Sequence, residues 1–164
     1  MTVKNDDLII MYDSKGKRWP KPVRGDYQMS PYFKAKELAC QRGFTLWCAD
    51  GFLIELNFLR KRLGFPMKIN SGCRTPEHNK DIGGHPNSLH LTENPKHSTG
   101  GCMAVDIGLD GMVESQHTAL IATAYSFGWS LGRGDKVVDG VVSGFLHIDR
   151  RVEIGLPQTE FFYK

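Results

Sequence analysis

Two short segments put apolar side chains on one face and chemically versatile ones on the other, and nothing else in the chain constrains its fold as tightly. In residues 103–108, Met103, Val105 and Ile107 alternate with Ala104, Asp106 and Gly108, the period of a half-buried strand. In residues 145–149, Leu146 and Ile148 alternate with Phe145, His147 and Asp149, so an imidazole and a carboxylate share the face turned from the core. Asp106 has only small residues beside it on its own face, which leaves room for an ion and a substrate. Side by side, the two strands bring Asp106 and His147 together.

The rest of the chain supplies the layers that such strands need. A helix capped by the Asp50 side chain carries Phe52, Leu56, Leu59 and Leu63 on one face and stops at Gly64. A second helix fits residues 113–127, ended by Gly128, and Thr75-Pro76 opens a short one that Gly83-Gly84 stops. Residues 33–40 suit one or two helical turns, and residues 67–70 and 129–132 read as strands. Residues 8–19 read as an accessory edge hairpin turned by Gly16, after which Pro20, Pro22 and Pro31 keep the chain irregular. The order predicts one α+β domain over residues 1–164, a small antiparallel sheet with packed helices. Residues 1–28 are its accessory hairpin and wrapping segment, and residues 29–150 its core.

At 164 residues, one domain can bury a real core and two ordinary ones cannot. The net charge of +3 comes from scattered Lys and Arg rather than a basic stripe, which argues against nucleic acid as a partner. Residues 1–7 are polar and no apolar run reaches the length of a signal-peptide core or a membrane span, so the expectation is a chain made in a cytoplasm, without membrane insertion, and monomeric. Cys40, Cys48, Cys73 and Cys102 form no C-x-x-C pair and read as free thiols.

A catalytic zinc ion takes three protein ligands and keeps a position for water. Asp106 and His147 offer two; for the third, the segment before Asp106 offers His90, preceded by Ser88-Leu89, and His97. Isolated histidines and aspartates on strands are often only solvated or hydrogen-bonded surface groups, so spacing alone leaves both readings open.

The ordered set Ser71-Gly72-Cys73-Arg74-Thr75-Pro76-Glu77-His78-Asn79, Gly83-Gly84, Asn87-Ser88-Leu89-His90, Ala104-Val105-Asp106-Ile107 and Phe145-Leu146-His147-Ile148-Asp149 resembles a family of zinc peptidases. That family includes D-Ala-D-Ala carboxypeptidases, murein endopeptidases and phage L-alanyl-D-glutamate endolysins, and shares its fold with the hedgehog signalling domain. The resemblance implies Zn²⁺ held by His90, Asp106 and His147, with Arg74 and Ser88 gripping a carboxylate or carbonyl of a peptidoglycan peptide. It also implies hydrolysis of an amide bond in the wall, by an enzyme of endolysin type that reaches its substrate after release from the host cytoplasm. An inert zinc-binding recognition domain of the same fold is the alternative.

Two departures from the family matter. The step from His90 to Asp106 is longer than in relatives, so residues 91–101 read as an insertion; it contains His97, which lacks the preceding serine, and His90 is therefore favoured. Relatives also carry an acid or histidine shortly before the late ligand, where this chain has Val141, Val142, Ser143 and Gly144. Asp149 is then the expected general base or orienting carboxylate, its competing role being to accept the ring N–H of a ligating histidine or pair with Arg150 or Arg151, and Asp135 and Asp139, read as lying in the preceding loop, are in reserve. His78, His85 and His117 read as hydrogen-bonding rather than ligating groups.

Overall fold

Apolar alternation along four segments assembles a sheet with one face in the core. The computed structural model describes residues 2–95 and 100–164. Strands β4 (Lys68–Ser71), β5 (Ala104–Gly108), β6 (Ser130–Val138), β7 (Val141–Asp149) and β8 (Glu160–Phe162) form a five-stranded sheet in the order β4-β5-β7-β6-β8. Its pairs are antiparallel except β8, which runs parallel to β6. Val105, Ile107, Leu131, Leu146 and Ile148 are fully buried. Helix α4 (Glu114–Ser126) packs on β6 and β7, with helix α2 (Phe52–Leu63) against it, and Phe52 meets Trp129 edge-on at 5.8 Å. Buried Leu56 and Leu59 of α2 and Leu120 and Ala124 of α4 complete this layer.

A second sheet, in the order β2-β1-β3, comes from β1 (Leu8–Met11), β2 (Val23–Arg24) and β3 (Thr45–Leu46). The turn expected near Gly16 is present, with φ 84° at that glycine and a bridge between Tyr12 and Arg18. The edge position is not: β1 lies between antiparallel β2 and parallel β3. Ile9 and Met11 are buried in the same core as Phe33, Leu38 and Leu46, so burial of two large apolar side chains outweighs the polar character of the turn. Helix α1 (Ala35–Leu38) falls within the expected turns at residues 33–40.

Three further expectations need correction. Helix α2 has no side-chain cap from Asp50; Gly51 takes the N-cap position with φ 76°, while Gly64 ends the helix as expected with φ 75°. The last two strands of the predicted set extend well beyond their expected bounds, because Asp139 (φ 50°) and Gly140 (φ 76°) turn β6 directly into β7 as a two-residue hairpin. Asp135 is thus a strand residue and Asp139 a hairpin tip, not parts of a loop over the sheet. Finally, Cys73 and Cys102 are joined by a disulfide, leaving Cys40 and Cys48 as the free thiols. The short helix α3 (Pro76–Asp81) forms as read, its Thr75 hydroxyl accepting from the His78 N–H. Among the described residues, no helix is long and apolar enough to cross a membrane. The architecture is α+β as expected, a mostly antiparallel sheet with packed helices, with parallel pairs at β8 and β3.

Candidate metal centre

Register places the first two groups. Strands β5 and β7 are neighbours, and Asp106 lies directly opposite His147. His90 comes from the segment laid across the start of β5, where Met103 N–H donates to Leu89 O at 2.9 Å and Arg74 N–H donates to His90 O at 2.8 Å. His90 Nε2 then lies 3.1 Å from Asp106 Oδ1 and 3.1 Å from His147 Nδ1, and His147 Nδ1 lies 2.9 Å from Asp106 Oδ1.

The outward nitrogens decide what these atoms are. His90 Nδ1 meets the Gly72 carbonyl at 2.7 Å, and a carbonyl accepts, so Nδ1 carries the proton and Nε2 presents a lone pair. His147 Nε2 meets the Asp149 carboxylate at 2.8 Å, which leaves the Nδ1 lone pair pointing inward. Three acceptor atoms therefore converge, and acceptors repel unless a cation lies between them. Donors around a tetrahedral zinc with bonds of ~2.0–2.1 Å lie ~3.3 Å apart, close to the spacing seen here. Two imidazoles and one carboxylate could thus hold such an ion, and all three atoms lie within 4.8 Å of one another.

A protein-family model, Peptidase M15, matches residues 31–149. The chain belongs to the M15 peptidase family. Members are metallopeptidases, zinc-dependent as a family, which agrees with the donor set gathered here. No curated protein and no solved structure matches the chain.

Around the three donors of this M15 peptidase lies a layer of fixed partners. Asp149 is fully buried. It accepts from His147 and, through both oxygens, from Arg151 at 2.9 and 2.7 Å. Burial opposes its charge, but Arg151 and His147 outweigh burial and hold the carboxyl down at about 2. The carboxylate read as the general base thus has both oxygens engaged by Arg151 and one also by His147. Arg74 donates to Asp106 Oδ2 at 3.2 Å, to Ser71 Oγ at 3.2 Å and to Asn79 Oδ1 at 3.4 Å, so its fork is turned onto a donor residue. Burial works against charge at every group of the trio. At His90 burial prevails and lowers the pKa, whereas at His147 the neighbouring carboxylates of Asp106 and Asp149 outweigh it and raise the pKa. The Asp106 carboxyl, despite burial, is held well below the usual range by His90 and His147.

A cavity of about 550 Å³ opens beside His147, lined among others by His85, Asn87, Ser88, Phe161 and Tyr163. Ser88, read as a substrate contact, lines this cavity, its hydroxyl accepting from the His90 N–H at 3.3 Å. His85 lines the same cleft, with Nδ1 accepting from the Asn87 N–H at 3.0 Å. The aromatic wall was missed in the sequence. Phe161 stands 6.0 Å from the His147 ring and 5.3 Å from Tyr163, and both belong to or follow β8, beyond the span that the M15 family model matches. The signal was the run of strand-favouring aromatics Phe161-Phe162-Tyr163 after Pro157. Elsewhere, His117 pairs with Asp135 and His78 lies 3.2 Å from the Cys40 sulfur, so both are hydrogen-bonding groups as expected. His97 lies outside the described residues.

Proposed function

We propose that this M15 peptidase binds one Zn²⁺ through His90, Asp106 and His147 and hydrolyses an amide bond in peptidoglycan stem peptides or cross-links. One observation carries the reading: three inward lone-pair donors, locked in that state by Gly72 O and Asp149, converge beside a cleft. Bound there, zinc supplies a Lewis acid for the scissile carbonyl and brings a water within reach of ionisation near neutral pH. The chain's own residues do the rest. Asp149 fixes the His147 ring, Arg74 fixes the Asp106 carboxylate, and Ser88 at the cleft wall is placed to meet a polar group of the stem. With Asp149 committed to Arg151, proton transfer falls to the cleft groups His85 and Tyr163.

The aromatic wall and Arg151 beneath it suit a short peptide with carboxylates, which wall stems provide. An endolysin-type role, acting on a host wall after release, is the finer form of the proposal and draws on the resemblance to L-alanyl-D-glutamate endolysins. The test is digestion of purified peptidoglycan by zinc-loaded protein, with released fragments identified by mass. New amino and carboxyl termini at one stem bond, abolished by chelation and restored by zinc, are the expected result. Unchanged wall fragments with zinc stoichiometrically bound would favour the inert recognition domain, a reading whose support is the absence of any acid among residues 141–144.

A further inference from the structure

Outside the histidine site, three sulfurs from three separate segments meet. Cys73 and Cys102 are disulfide-bonded, Cys48 Sγ lies 4.0 Å from Cys102 Sγ, and all three sulfurs fall within 4.8 Å of one another. A disulfide needs two sulfurs; the third is held here by the backbone. Cys102 N–H donates to Trp47 O at 2.7 Å and Ala49 N–H donates to Cys102 O at 2.9 Å, so residues 47–49 and Cys102 are zipped in parallel. Glycine makes that approach possible. A Cβ at Gly101, where φ is 90°, would lie 2.4 Å from Ala49 N, and one at Gly100 would run into the Trp47 ring. Before Cys73 the same device recurs: a Cβ at Gly72 would lie 2.5 Å from Leu38 O, and Cys73 N–H donates to that carbonyl at 2.8 Å.

We propose that, in the reduced chain, Cys48, Cys73 and Cys102 form a second metal site, a trithiolate centre for one soft ion such as Zn²⁺. A dithiol reductant converts the Cys73–Cys102 disulfide to two thiols and is itself oxidised to its cyclic disulfide. The ion then binds three thiolates, and three protons leave to solvent. Thiolates select zinc and other soft ions over magnesium or calcium. Sulfurs bound to one tetrahedral zinc at ~2.3 Å lie ~3.7 Å apart, near the spacing already set between Cys48 and Cys102. Cys73 and Cys102 are buried, and Cys48 is partly buried and packed against the same core. Cys40 is not part of the cluster; its sulfur lies against His78 and Thr75. The centre would pin together residues 47–49, the root of the Arg74 segment and the chain entering β5.

The proposal is independent of the histidine site, and its test is read separately. Wild-type protein reduced with a dithiol and loaded with Zn²⁺ is expected to hold two zinc ions per chain by elemental analysis. Loading with Co²⁺ instead is expected to give a thiolate-to-cobalt charge-transfer band in the near ultraviolet. His147→Ala should lose one metal and keep that band; Cys48→Ser should lose the other metal, weaken the band strongly and keep the histidine-site ion. The wild-type cobalt spectrum decides even if a cysteine variant fails to fold. One zinc per reduced chain with no thiolate band, or a Cys73–Cys102 disulfide that persists by mass after dithiol and zinc, overturns the proposal.

Discussion

Two clusters of the same residue types lie on opposite faces of one β-ribbon and do opposite things. On the face that carries Leu131, Arg133 and Asp135, His117 of α4 meets Asp135 at 2.8 Å, and Arg133 donates to both oxygens of Asp135 at 2.8 Å and to Glu160 at 2.7 Å. Both oxygens of Asp135 have donors there. On the other face, His147 beside Gly132 joins His90 and Asp106 with three lone pairs aimed at one point. The arginine that could have closed that second cluster, Arg74, reaches only the outer oxygen of Asp106. Histidine with aspartate is therefore not in itself a metal site; what distinguishes one is which atoms remain without a proton donor.

Removing a histidine from each cluster should separate them most sharply. His147→Ala is expected to empty the zinc site and abolish peptidoglycan hydrolysis, while His117→Ala should keep zinc and turnover and lower stability by about 1–3 kcal/mol, the usual consequence of stripping a buried carboxylate of one donor. Metal analysis beside thermal unfolding reads both; zinc loss in the His117 variant would erase the distinction. The next largest effect tests the two cleft roles. Asp149→Asn should weaken zinc binding about 10–100-fold by loosening the His147 ring, whereas His85→Gln should leave zinc affinity alone and lower turnover about a hundredfold. An Asp149 variant with normal zinc affinity and low turnover would restore the carboxylate to the role of base.

Arg74→Lys sits between the clusters in kind, because it keeps the charge near Asp106 but loses the fork that also holds Ser71 and Asn79. Zinc should stay bound and hydrolysis should fall about tenfold, with unfolding little changed. Loss of the fold instead would mark Arg74 as a strut of the segment between β4 and α3.

Two of the candidate donors were legible in the sequence because a strand has period two: Asp106 and His147 had to leave the core once Val105, Ile107, Leu146 and Ile148 entered it. The third, His90, was singled out only through the family resemblance, since it reaches the site through backbone bonds of His90 to Arg74 and of Leu89 to Met103 that no local pattern encodes. The same limit hid β8, whose parallel partner lies far back in the chain, and the Cys73–Cys102 bond, which joins segments that only the sheet brings together. The β6–β7 hairpin was a different kind of miss. Val137-Val138-Asp139-Gly140-Val141-Val142 carries a turn signal that was readable locally, and overlooking it moved Asp135 from a strand into an imagined loop over the metal.

The smallest predicted effect tests the closed cluster by its pH dependence. Burial alone would raise the Asp135 carboxyl, but the bonds from Arg133 and His117 outweigh it and hold it at about 2, below the roughly 3.9 of an unfolded chain. A carboxyl depressed on folding adds stability that is fully present above its unfolded pKa and disappears as pH falls through its folded pKa, here between about 4 and about 2. Asp135→Asn removes that contribution, so at pH 7 the variant should melt on the order of 3 °C below the parent chain. The gap should close as pH approaches 2, because the parent carboxyl is then protonated as well. Both chains are compared with chelator present, so that acid release of zinc from the other face does not enter the difference. A gap of equal size at pH 7 and pH 2 would mean that Asp135 acts through packing rather than charge, and the two faces of the ribbon would then differ in more than their donors.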